Sequence, residues 1–106
     1  MDFDEYQSRA SETSAAPPRL EGQLYYFSLG LAGEVGELLN KIKKIARDKK
    51  EPSRDDMKGE LGDVLWYLSQ IAKEFGIPMS EIAEYNIKKL SSRKERGMIS
   101  GSGDER

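Results

Sequence analysis

The chain has no cysteine and no histidine among its 106 residues. The first absence removes disulfides, thiolate nucleophiles and thiolate metal ligands. The second removes imidazole acid–base catalysis, Ser-His-Asp triads and the common zinc sites. No apolar run approaches the ~18 residues a membrane-spanning helix needs. The start, "MDFDEYQSRA", is acidic and lacks the apolar core of a secretory signal, so a soluble, cytoplasmic chain is expected. No excess of one charge exists either: 17 Lys and Arg stand against 19 Asp and Glu, for a net charge of -2. That balance gives no reason to expect a nucleic-acid polymer or a membrane surface as partner. No strand-like alternation and no internal repeat is present. The length predicts one domain, residues 1–106, with a small core that a partner subunit would enlarge.

What is present is helical patterning. Phe3, Tyr6 and Ala10 mark a narrow face from about Asp2 to Thr13, with Asp2 as the cap. "SAAPPRLEG" interrupts it, because Pro17 and Pro18 resist helix. Leu24, Phe27, Leu31, Val35, Leu38, Ile42 and Ile45 then recur every three or four residues and predict a long second helix. A polar loop around Pro52 follows, and Ser53 or Asp55 can cap the third helix. Met57, Leu61, Val64, Leu65, Leu68, Ile71, Ala72 and Phe75 give that helix one apolar face, ending near Gly76 and Pro78. Ser80 is expected to cap a fourth helix reaching about Arg96. Residues 97–106 form a glycine-rich tail. The expected fold is all-α, a four-helix bundle.

Acids punctuate the two strongest helices. Glu34 and Glu37 lie one turn apart beside the apolar stripe of the second helix, and Lys41 follows on that flank. Glu60 and Asp63 repeat the spacing on the third helix. If the helices pack antiparallel, the two pairs can face each other. Crowded carboxylates repel and raise each other's pKa values, and a divalent cation relieves that. Ligation by oxygen alone suits Mg2+ or Mn2+. Gly33, Gly36, Gly59 and Gly62 alternate with the acids, and each costs ~1 kcal/mol relative to alanine inside a helix. Such bare helix sides invite close approach of another backbone or a flat ligand.

"GLAGEVGELLNKIKK" followed by "KGELGDVLWYLSQIAKEFGI" resembles the MazG-like nucleotide pyrophosphohydrolases. These belong to the all-α NTP pyrophosphatase superfamily, which includes the dimeric dUTPases. The superfamily signature, E-x-x-E on one helix and E-x-x-D on the next, is matched by Glu34, Glu37, Glu60 and Asp63. The resemblance runs from about Tyr25 to Arg106. It implies Mg2+-dependent hydrolysis of a nucleoside triphosphate to monophosphate and pyrophosphate, with all four acids holding the metal. It also implies a bundle completed by oligomerisation, as a homodimer or a tetramer. Glu34, nearest the buried seam, is expected to orient or deprotonate the attacking water.

Asn86, Lys89 and Arg93 share a face of the fourth helix and are expected to bind substrate phosphates. Arg96 and Arg106 bracket tail glycines able to fold over phosphate. Trp66 and Tyr67 follow Asp63, and one of them can stack on a base; Trp66 is the one assigned to substrate, with burial in the core or a dimer interface as its alternative. Gln7 or Asn40 can read a base edge, and nothing in the sequence selects between them. The competing reading is a non-catalytic helical module that binds a nucleotide or a protein. A di-iron carboxylate site is disfavoured by the absent Glu-x-x-His, and a calcium loop by the absent D-x-D-x-D-G run.

Overall fold

A computed structural model describes residues 1–15, 23–97, 101 and 103. Four helices account for most of them: α1 (Phe3–Glu12), α2 (Gln23–Asp48), α3 (Arg54–Glu74) and α4 (Met79–Glu95). No strand occurs among the described residues, in line with the all-α expectation. The expected linker at Pro17 and Pro18 and most of the tail, including Arg106, lie outside the described residues.

Local chemistry accounts for the helix limits. The Asp2 carboxylate accepts from the Glu5 N–H at 2.8 Å, starting α1. Ser53, one of the two expected caps, accepts from the Asp56 N–H at 3.3 Å and starts α3. Each bond satisfies an amide that the helix itself leaves without a partner. Gly76 ends α3 with φ at +68°, a left-handed conformation that costs glycine little.

The start of α4 departs from expectation. Pro78, not Ser80, occupies the cap position, and it supplies no side-chain bond. The missing acceptors come from α1. The Asp4 carboxylate accepts from the Ser80 N–H at 2.9 Å and from its hydroxyl at 2.6 Å. These two bonds hold the Asp4 carboxyl below its usual range. Gln7 completes the clamp. Its amide oxygen accepts from the Met79 N–H, and its NH2 group donates to the carbonyls of Ser69 and Ile77. With both ends of the amide engaged, Gln7 is a structural clamp and not the base reader that its residue type allowed.

α2 and α3 form the main packing pair. Partners rise along one helix as they fall along the other, from Phe27 with Trp66 to Lys41 with Glu60, so the pair is antiparallel. α1 lies across α3 and carries α4. The buried apolar residues are few, Ala10, Phe27, Ala72 and Met79, joined by the polar Ser69 and Gln70. Ser11 donates to the Gln70 amide oxygen, and Gln70 donates to Ser69, so this polar core is bonded. The radius of gyration is 16.5 Å, against about 13 Å for a compact chain of this length.

Candidate metal centre

The antiparallel pairing of α2 and α3 sets acids from the two helices side by side. Glu34, Glu60 and Asp63 each offer one carboxylate oxygen, and all three atoms lie within 4.8 Å of one another. The set contains only hard oxygen donors, so its chemistry fits Mg2+ or Mn2+. Desolvation raises the Glu34 pKa above its ordinary value. The negative charges of Asp63, Glu60 and Glu37 push it the same way. Both effects disfavour the charged form of Glu34, and a cation placed among these acids would act the opposite way.

Glu37, the fourth expected ligand, stands apart. It is exposed one turn further along α2 and is not in the three-oxygen group, although its charge reaches Glu34 and Lys41. Lys41 lies between the acid pairs, its ammonium 2.9 Å from a Glu60 oxygen.

A cavity of about 310 Å3 opens beside the acids, lined by Thr13, Glu34, Asp63, Trp66 and Tyr67. Trp66 is fixed there. Its indole N–H donates to the Thr13 hydroxyl at 2.9 Å, and its ring meets Phe27 and Tyr67 edge-on, at centroid distances of 5.7 and 5.0 Å. Trp66 therefore touches both the core and the cavity. Tyr67, the other aromatic considered for stacking, lines the same cavity. Burial raises its pKa first, followed by the charges around Tyr26, Glu34 and Asp63. Burial also raises the Tyr6 pKa, with a further push from Asp63. α1 thus forms one wall of the acid site.

The glycines divide into two kinds. Among the described residues, nothing within 4 Å would meet a methyl at Gly33, Gly36, Gly59 or Gly62. Gly30 is the one in use: a side chain at that position would overlap the Tyr67 ring. Its signal was available in the sequence only as a third glycine in the run.

The basic residues of α4 are not brought to the acids. Asn86 and Lys89 line a separate cavity of about 290 Å3 with Ile77, Glu81, Ile82 and Tyr85. Arg93 is 3% exposed, and its guanidinium donates to the Gly103 carbonyl at 3.3 Å. Its partner is the tail of its own chain. Helix spacing put these three residues on one face correctly, but α4 packs on α1, away from the acid pairs. Arg96 donates back to Ser92 on the last turn of α4. Asn40 is exposed on α2.

Comparison with known proteins adds independent weight. Residues 26–98 match the model of the MazG nucleotide pyrophosphohydrolase domain. The Gene 37 protein of Mycobacterium phage L5 is 46% identical over 115 aligned positions, which span the whole of both chains. No solved structure matches the chain.

Proposed function

The chain belongs to the MazG nucleotide pyrophosphohydrolase family, and from that premise we propose that it hydrolyses nucleoside triphosphates, NTP or dNTP, to monophosphate and pyrophosphate with Mg2+. The observation that carries the reading is the trio of carboxylate oxygens from Glu34, Glu60 and Asp63 gathered across two helices. Among the described residues, Lys41 supplies the ion pair to these three mutually repelling acids.

Glu34, Glu60 and Asp63 would hold the metal, with Glu37 joining them through its one-turn spacing. Mg2+ bound there supplies charge neutralisation at phosphate oxygens and acidifies water. Glu34, nearest the buried seam, would orient or deprotonate the attacking water. Trp66 and Tyr67 offer the cavity an aromatic wall against which a base can stack. Thr13 fixes the Trp66 ring through its hydrogen bond. Asn86, Lys89 and Arg93 can meet phosphates only if a second subunit or a rearranged α4 presents them.

We further propose that the working unit is a homodimer, with a tetramer as its elaboration. On α2, Tyr25, Leu29, Gly36 and Leu39 fall within about 80° of one another at ~100° per residue. They form a face opposite the one packed on α3, and Leu29 and Leu39 are 59% and 57% exposed. A second copy laid on this face would bury the apolar residues and use the open space at Gly36.

A panel of canonical and modified NTPs and dNTPs with Mg2+, read as released pyrophosphate, tests the activity. Hydrolysis in 18O-labelled water tests the path: label belongs in the monophosphate. Turnover undiminished by EDTA, or label found in pyrophosphate, would overturn the proposal.

A further inference from the structure

We propose that Lys41 is an exchangeable counter-ion of the acid site: it holds Glu60 while no divalent cation is bound, then releases Glu60 to the metal and turns to a phosphate oxygen of the substrate. The inference rests on the metal-dependent reading above and deepens it.

Lys41 makes the close ion pair of the acid cluster, 2.9 Å from Glu60. Its other electrostatic neighbours are also acids, Asp56 and Glu37, and together with the Glu60 hydrogen bond they raise its pKa despite some desolvation. The ammonium is therefore charged and sits where a metal's charge is needed. The same Glu60 side chain supplies an oxygen to the three-acid group. A cation entering that group and the lysine thus compete for one carboxylate.

Exposure decides which partner moves. The Lys41 side chain is 38% exposed and the Glu60 side chain 15%. Glu60 is held within the α2–α3 seam, whereas Lys41 has a flexible four-carbon stem. Open space exists for the swing. Lys41 borders a cavity of about 320 Å3 at the α2–α3 turn, which Lys44 and Lys50 also line. A released lysine has Asp56 and Glu37 as carboxylate neighbours, and beside a metal–triphosphate complex that occupies the acids, phosphate oxygens offer it a further charge-assisted partner.

The test compares Lys41→Met, which keeps most of the stem and drops the charge, with Lys44→Met, which removes a lysine lining the same cavity. Mn2+ binding is followed by electron paramagnetic resonance of the free ion, without nucleotide. Lys41→Met should bind Mn2+ roughly fivefold more tightly than the unmodified chain, as expected for removing a partly exposed competitor. Lys44→Met should change affinity less than half as much. With Mn2+ present, Lys41→Met should bind an α,β-methylene triphosphate about tenfold more weakly. Unchanged or weaker Mn2+ binding by Lys41→Met, or an equal gain in Lys44→Met, overturns the exchange. Unchanged nucleotide affinity overturns the handover to phosphate. Failure of the unmodified chain to bind Mn2+ removes the metal site and this proposal together. If it binds Mn2+ but releases no pyrophosphate, the hydrolase reading falls while the Mn2+ comparison still decides the role of Lys41.

Discussion

At the scale of single residues, three positions decide most. Glu60 contributes to the oxygen group and pairs with Lys41. Glu60→Gln should lower pyrophosphate release by more than ~100-fold, since losing even an outer partner of a metal site costs about 10–100-fold. Circular dichroism of the variant should be unchanged. Glu34 governs pH dependence. A carboxyl whose pKa is raised on folding binds its proton more tightly in the folded chain. It favours folding while protonated, and that contribution is lost as pH rises from the ordinary value of 4.5 through the folded value. The metal-free protein should thus lose stability over that rise, and Glu34→Gln should flatten the loss. Added Mg2+ should raise the melting temperature more at pH 7 than at pH 5. Gly30 is the third. Alanine there gains helix propensity of ~1 kcal/mol but meets the Tyr67 ring, and overpacking costs about 1–3 kcal/mol. Gly30→Ala should be destabilised in urea titration and should displace Tyr67 from the acid cavity.

At the scale of elements, the helices were legible because their signals are local. The apolar spacing of α2 and α3, the caps Asp2 and Ser53, and the stop at Gly76 are each written within a few residues. So were the acid pairs, whose one-turn spacing survives any packing of the helices. The docking of α1 was not legible. Gln7 meets Ser69, Ile77 and Met79 from more than sixty residues away in sequence, and Asp4 reaches Ser80 likewise. No periodicity encodes such bonds. Ser80 was misread as a cap for the same reason: its own side chain is a good cap type, but the acceptor that serves this helix end is on another helix. Gln7→Ala removes three hydrogen bonds, those donated to the Ser69 and Ile77 carbonyls and the one accepted from the Met79 N–H. It should cost about 2–3 kcal/mol in chemical denaturation, with α4 detaching first in hydrogen exchange.

At the scale of the whole molecule, the described residues bury four apolar side chains, Ala10, Phe27, Ala72 and Met79. The proposed second copy on α2's outer face would add to that core. Leu29→Glu with Leu39→Glu should convert a dimer into a monomer in light scattering at micromolar concentration, with loss of cooperative melting. A stable monomer of the unmodified chain would contradict the proposed assembly. The sequence showed the apolar residues but not their division into two faces. Tyr25, Leu29 and Leu39 interleave with the stripe that meets α3, and only the packed pair reveals which are left over. The separation of Asn86, Lys89 and Arg93 from the acids has the same origin. A helical wheel orders residues around an axis and says nothing about where that axis points.

The bond between the indole of Trp66 and Thr13 has an optical consequence. Trp66 is the chain's one tryptophan, and it stands in the wall of the acid cavity with Tyr67 against its ring. Its emission therefore comes from a single, defined place. A base stacking on the ring, as proposed, would quench it, and loss of the Thr13 bond would shift its colour. The unlabelled protein thus carries its own lamp in the cavity wall, and under the proposed function substrate arrival should be seen by stopped flow before any phosphate bond has broken.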